Sequence, residues 1–205
     1  MTLFNNKSAI EFNGRISRRK LLGMGLATMA AAFVPGKILS ADEARLPHFF
    51  NDYVSFSEKK LSLYNVHYHE NVETVFWKDG QYVPEALSEI NHLFRDRRTG
   101  KEKTINTELL DLLFDLQQNL KSEEPFHIIS GYRTPKSNAL LRKRKKGVAK
   151  NSLHMYGKAV DLRLPGYSLK TIRQAAMSFN AGGVGIYHRS KFVHIDVGQV
   201  RYWWG

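Results

Sequence analysis

The chain has 205 residues, 42% of them hydrophobic and 24% charged, a globular composition whose length fits one domain. It contains no cysteine, which excludes disulfide staples, thiolate metal sites, iron–sulfur ligation, a cysteine nucleophile and a lipoprotein anchor, and leaves histidine and carboxylates as ligands for any metal. Its 31 Lys+Arg outweigh 19 Asp+Glu, and the net charge of +12 calls for an anionic partner such as nucleic acid, a membrane surface or an anionic cell wall.

The N-terminal stretch reads as a transport address rather than as fold. Arg15, Ser17, Arg18, Arg19 and Lys20 precede Leu21–Gly36, sixteen residues without a charge. That run is short for a membrane span and rich in Gly and Ala, as a signal core is. Ser17-Arg18-Arg19-Lys20-Leu21-Leu22 resembles the twin-arginine signal. Cleavage near Ala41 is expected, with delivery of a folded protein to the periplasm; residues 1–41 are then signal and 42–205 one domain. Six basic residues and one acidic residue leave with the signal, so the expected mature chain is +7.

Beyond it, Leu61–His69 and Val72–Trp77 are rich in aromatic and β-branched residues and predict a strand hairpin, with Lys78-Asp79-Gly80 as a turn. Pro84 opens a helix with Leu87, Ile90, Leu93 and Phe94 on one face, running toward Thr99-Gly100. Thr107–Leu120 repeats leucine at helical spacing. Phe126–Ser130 predicts a strand, Ser137 a cap for a helix through Leu140 and Leu141, and Ala159–Leu164 another strand. Ser168–Asn180 is a helix ended by Gly182-Gly183, and Val184–Tyr187 and Phe192–Val197 close the core as strands. The fold class is α+β, with a small, mainly antiparallel sheet and flanking helices.

Charge divides the mature chain at Pro125. Residues 42–124 carry a balance of −6 and residues 125–205 one of +13, with Asp161 and Asp196 the only two acids in the second part. Each either pairs with a neighbouring Arg or Lys or serves a cation. Asp161 follows Ser152-Leu153-His154-Met155-Tyr156-Gly157-Lys158-Ala159-Val160, and Asp196 ends Phe192-Val193-His194-Ile195-Asp196. Two histidines and one carboxylate can supply three ligands to Zn²⁺ and leave a fourth position for water, which separates a catalytic zinc from a structural one.

The pattern S-x-H-x-x-G-x-A-x-D, followed by a later apolar-apolar-His strand, resembles the zinc peptidase superfamily of lysostaphin, D-Ala-D-Ala metallopeptidases and hedgehog domains. Ser130-Gly131-Tyr132-Arg133 resembles an element of the D-Ala-D-Ala branch. Leu61–Asn65, Asn91–Gly100 and Gly182–Gly185 extend the likeness to that branch's endopeptidases, cell-wall hydrolases exported by the twin-arginine route. The resemblance implies a hedgehog/D-Ala-D-Ala-peptidase-like fold and one Zn²⁺ per chain on His154, Asp161 and His194. It also implies that Arg133 holds a substrate carboxylate or the developing oxyanion, and that Ser152 hydrogen-bonds peptide substrate.

General bases used elsewhere in the superfamily are missing, since Lys191 and Phe192 occupy the positions three and two before His194. Asp196 shares a strand face with His194 and is either the general base or a carboxylate that orients a ligating histidine; with Arg133 it is taken as catalytic, as the provisional proton shuttle. His188 is a further candidate for the base. The expected function is hydrolysis of peptidoglycan cross-links, joining two meso-diaminopimelate residues or D-Ala to meso-diaminopimelate, by a monomer with no transmembrane segment in its mature part. The rivals are a D-Ala-D-Ala carboxypeptidase and a zinc-containing wall-binding module without catalysis.

Other conspicuous residues carry blander readings. His67 and His69, spaced i, i+2, could face one metal from a strand but lack a third ligand nearby, so a structural or surface role is expected, and His92 and His127 are expected to be packed or hydrogen-bonded. Arg142-Lys143-Arg144-Lys145-Lys146 reads as a solvated helix end, or as an attractant for acidic peptide stems. No nucleic-acid-binding motif accompanies it, so nucleic acid is not an expected partner. Tyr202-Trp203-Trp204 is either a sugar-stacking platform or C-terminal packing.

Overall fold

The computed structural model describes residues 56–205. The twin-arginine stretch and the boundary at residues 41 and 42 lie outside the described residues. One eight-stranded sheet runs in the order β3-β2-β1-β4-β5-β7-β6-β8. Its strands are β1 (Glu58–Asn65), β2 (Glu70–Lys78), β3 (Gln81–Tyr82), β4 (Phe126–Ser130), β5 (Ala159–Arg163), β6 (Gly183–Tyr187), β7 (Phe192–Asp196) and β8 (Arg201–Trp204). All pairings are antiparallel except β1 with β4 and β6 with β8. The class is α+β, with helices α1 (Pro84–Leu93), α2 (Thr107–Leu120), α3 (Pro135–Arg144) and α4 (Leu169–Ser178). Among the described residues no helix is long and apolar enough to cross a membrane.

The helices form where the sequence supplies both a stripe and a cap. The leucines of α2 bury Leu109, Leu113 and Leu116 completely, and the Asn106 side chain accepts from the Glu108 N–H at its start. These side chains meet Val160, Leu162, Val193 and Ile195 of β5 and β7 in one core. Because side chains alternate along a strand, the intervening residues of β5 and β7 face away from that core.

Several ends differ from the sequence expectation, each for a local reason. The first strand stops at Asn65 rather than His69, because the Asn65 carboxamide accepts from His67 N and Tyr68 N and turns the chain. Helix α1 stops at Leu93 instead of running toward Gly100, because Asp96 captures the backbone of the next residues. Thr134, not Ser137, caps α3, and Pro135 occupies its first turn. Helix α4 ends at Ser178, and the left-handed residue that follows is Asn180, not a glycine. Two strands are additional, the two-residue β3 and the C-terminal β8; the latter shows Tyr202-Trp203-Trp204 to be packed on β6.

Helix α3 inverts the usual rule. Its buried residues are Ser137 and Asn138, while Leu140 is exposed and Leu141 half-buried. Replacing Leu113 with Ala should therefore cost about 2–5 kcal/mol, whereas Leu140→Ala should stay within about 0.5 kcal/mol, as read from urea unfolding.

Candidate metal centre

The register of the sheet builds the site. Ser130 of β4 lies opposite Asp161 of β5, and Asp161 lies opposite His194 of β7. Gly185 of β6 continues the row beyond His194. Directly opposed residues present their side chains to the same face, and this is the face turned away from the leucine core. His154 joins from a short 3-10 helix, Leu153–Tyr156, just before β5.

Three ligand atoms converge there. His194 Nδ1 lies 2.9 Å from Asp161 Oδ1, and His154 Nε2 lies 3.2 Å from both of them. All three residues are buried, and the group can hold a metal ion. A tetrahedral zinc with bonds of about 2.0–2.1 Å sets its ligand atoms about 3.3–3.4 Å apart, so the donor set fits such an ion in both chemistry and size.

The outer nitrogens settle which atoms face inward. His154 Nδ1 donates to the Gly131 carbonyl at 2.7 Å, and His194 Nε2 donates to Asp196 Oδ2 at 2.9 Å. A neutral imidazole that donates through one nitrogen offers a lone pair on the other. Both inner nitrogens thus face the Asp161 oxygen, an arrangement able to take a cation between them. Burial pushes His154 below the usual histidine range and keeps it neutral. Burial also acts to lower His194, but hydrogen bonds to Asp161 and Asp196 outweigh it and raise the group. Burial raises the Asp161 carboxyl, yet the two histidines hold it well below the ordinary range.

Asp196 occupies the far side of His194. It is fully buried, and its oxygens accept from Gly183 N, Gly198 N, His194 Nε2 and both terminal nitrogens of Arg201. Burial pushes this carboxyl up, and the donors of His194 and Arg201 overcome that and hold it at about 2. Gly183 is required beside it, since a Cβ there would stand 2.6 Å from Asp196 Oδ2. His188 is not brought to the cluster. It stands at the β6–β7 turn, stacked on Trp204 with ring centroids 5.7 Å apart.

Arg133 does reach the cluster. Its guanidinium lies 3.5 Å from Asp161 Oδ2 and donates to Ser130 Oγ at 3.3 Å and Asn138 Oδ1 at 3.2 Å. Asn138, which the sequence did not single out, also donates to the carbonyls of Ala149 and Lys150. It thereby ties α3 to the loop that leads to Ser152. The Ser152 side chain is buried beside His154 and caps no backbone N–H of the 3-10 helix.

The loop carrying Arg133 is anchored by Asp96, a second residue that sequence reasoning left without a role. Asp96 Oδ2 accepts from Thr134 N at 2.6 Å and Thr134 Oγ1 at 2.7 Å, while Oδ1 accepts from Arg98 N at 2.8 Å. Tyr132 N donates to the Phe94 carbonyl at 2.7 Å, and a Cβ on Gly131 would stand 2.6 Å from that same oxygen. Only glycine permits this approach, and the approach aims the Gly131 carbonyl at His154.

The remaining histidines lie away from the cluster and meet protein groups. His67 meets the Ile129 carbonyl, His69 the Tyr64 hydroxyl and His92 the Glu102 carboxylate, while His127 packs on Tyr64.

The sheet and the short 3-10 helix thus gather two histidines, an aspartate and a neighbouring arginine into a donor set able to hold a metal ion, and the comparisons place the chain among peptidases. Residues 54–203 match the M15 peptidase family described as peptidoglycan L,D-endopeptidase MepK, and the chain belongs to this family. It is 41% identical over 187 residues to peptidoglycan L,D-endopeptidase MepK of Escherichia coli K12, covering 91% of this chain and 97% of that protein. The probable peptidoglycan L,D-endopeptidase MepK of Haemophilus influenzae is 31% identical over 190 residues, covering 92% of this chain and 96% of its own.

Burial pushes the Asp96 carboxyl up, but the donors of Thr134 and Arg98 hold it below the ordinary value. A depressed carboxyl contributes stability above the unfolded pKa of about 3.9 and loses it as pH falls through the folded value. Asp96→Asn should therefore cost roughly 2–3 kcal/mol near neutrality. The difference from wild type in urea unfolding should shrink below about pH 4.

Proposed function

We propose that this chain is a zinc-dependent murein endopeptidase that hydrolyses peptide cross-links of peptidoglycan. The preferred bond joins two meso-diaminopimelate residues, with D-Ala to meso-diaminopimelate as a further substrate. The observation that carries the reading is the convergence of His154 Nε2, Asp161 Oδ1 and His194 Nδ1 within 3.2 Å, with each imidazole's other nitrogen committed to an oxygen. The metal is one Zn²⁺ per chain, held by these three residues. When bound, it supplies Lewis-acid polarisation of the scissile carbonyl and acidifies the water that attacks.

The chain's own residues do the rest. Arg133, fixed by Ser130 and Asn138, presents a guanidinium to a substrate carboxylate or to the oxyanion as it forms. The Ser152 hydroxyl hydrogen-bonds the peptide next to His154. Of the two roles open to Asp196, we assign orientation of His194. A carboxylate held at about 2 and enclosed by Arg201 and two backbone N–H groups is a weak base. The signal is residues 1–41, the catalytic domain is 42–205, and the protein works as a monomer in the periplasm after twin-arginine export. The names of the relatives support the substrate, and the Arg18-Arg19 stretch supports the route.

Digestion of cross-linked sacculi by zinc-loaded protein, with fragments identified by mass, tests the reading. Wild type should release monomers cut between two diaminopimelate residues, and His154→Ala should release none. Release of terminal D-Ala alone would make the protein a carboxypeptidase. Stoichiometric zinc without any product would make it a wall-binding module.

Asp196→Asn separates the two roles of that residue. An orienting carboxylate predicts zinc affinity lowered about 10–100-fold, with activity recovered when zinc is saturating. Wild-type zinc affinity combined with lost turnover would make Asp196 the base.

A further inference from the structure

A shallow, open pocket is lined by Arg133 together with Arg97, Arg98, His67, Ser130 and Tyr132. It uses the segment Asn91–Gly100, to which the metal site assigns no chemical step. Asp96 N donates to the Lys101 carbonyl, and the Asp96 carbonyl accepts from Thr99 N and Gly100 N. The turn is therefore closed by its own backbone and holds Arg97 and Arg98 on the rim without help from a ligand.

Arginine dominates the pocket's charge, with Arg95, Arg97, Arg98 and Arg133 lining it beside the one carboxylate of Asp96. Among the described residues no carboxylate lies within ion-pair distance of Arg97 or Arg98, whereas the neighbouring Arg95 is gripped by both oxygens of Glu70 at 2.7 Å. The Asp96 carboxylate is spent on Thr134 and the Arg98 backbone.

The donors are also incompletely answered. His67 Nε2 lies 3.0 Å from the Ile129 carbonyl and 3.0 Å from Arg97 Nη1. That nitrogen can donate to the carbonyl or accept from the arginine, but not both, so the protein leaves one of these groups without its partner. Burial and the adjacent Arg97 push His67 below its usual range, consistent with the neutral ring. A carboxylate entering the pocket accepts from Arg97 while His67 keeps its bond to Ile129.

We propose that Arg97, Arg98 and His67 form a subsite for a second substrate carboxylate, in the pocket that Arg133 also lines. The subsite rests on the reading of the centre as a hydrolase of peptide stems. It gives that reading a substrate class, peptides with a free carboxylate on each side of the scissile bond. A cross-link between two diaminopimelate residues has this form, because each of them carries two carboxyl groups. A stem ending in two alanines carries only its terminal carboxylate near the bond.

The test is steady-state kinetics of the zinc-loaded full chain on cross-linked muropeptide dimers with free or amidated diaminopimelate carboxyls. Binding of the same dimers to the His154→Ala protein, by calorimetry, gives a readout independent of cleavage. Wild type should favour the free form by about tenfold or more in kcat/KM, through KM, the size expected for one charge-assisted contact. The Arg97→Gln/Arg98→Gln pair should bring that preference close to one. If the pair does not fold, as judged by circular dichroism, Arg98→Gln alone should at least halve the preference.

Cleavage of both dimers with equal efficiency, or a preference unchanged in the variants, would overturn the subsite and leave the peptidase reading intact. Preferential binding of the free dimer, abolished in the variants but with no cleavage by wild type, would leave the subsite standing and remove the peptidase reading.

Discussion

Two buried imidazoles point lone pairs at one carboxylate oxygen, and the structure around them exists to keep them there. Without fixed partners on the outer nitrogens, either ring could turn its N–H inward and satisfy Asp161 by itself. The Gly131 carbonyl removes that option for His154, and Asp196 removes it for His194. What remains is a triangle of ligand atoms with edges of 2.9–3.2 Å whose size and chemistry suit a divalent cation.

That constraint propagates outward through groups that would be costly if left alone. Asp161 and Asp196 are buried charges, and each has an arginine as well as a histidine: Arg133 at 3.5 Å and Arg201 at 2.7 Å. The two readings of the acids, pairing with an arginine and service to a cation site, turn out to be compatible. Arg133 in turn depends on Asn138, and its loop depends on Asp96, which grips Thr134 from 38 residues away. The same Asp96 shapes the turn that presents Arg97 and Arg98. One buried carboxylate therefore positions both the arginine at the metal centre and the pair at the neighbouring pocket.

Much of this was legible in the sequence where the signal is local. The limits of α2 and of the strand Phe126–Ser130 follow from periodicity and flanking breakers, and the structure agrees to the residue. His154, Asp161 and His194 come together as their motifs imply: alternation along two paired strands fixes the common face of Asp161 and His194, and the Gly131 carbonyl seats His154 beside them. What escaped depends on bonds between distant loops. The early stop of α1 and the Asn138 and Asp96 anchors leave no periodic trace, since each is a single polar side chain satisfying backbone remote in sequence. Leu140 and Leu141 misdirect for the same reason: α3 is docked by hydrogen bonds through Asn138 rather than by its leucines. The two-residue β3 is too short to show alternation at all.

If His154, Asp161 and His194 alone hold the zinc ion, an anomalous difference map collected at the zinc edge from zinc-loaded crystals will show it. One peak per chain is expected, about 2.0–2.2 Å from His154 Nε2, Asp161 and His194 Nδ1, with Asp196 on the far side of His194 and off the metal. A peak coordinated by Asp196, or no peak at this cluster while zinc binds elsewhere, would contradict it.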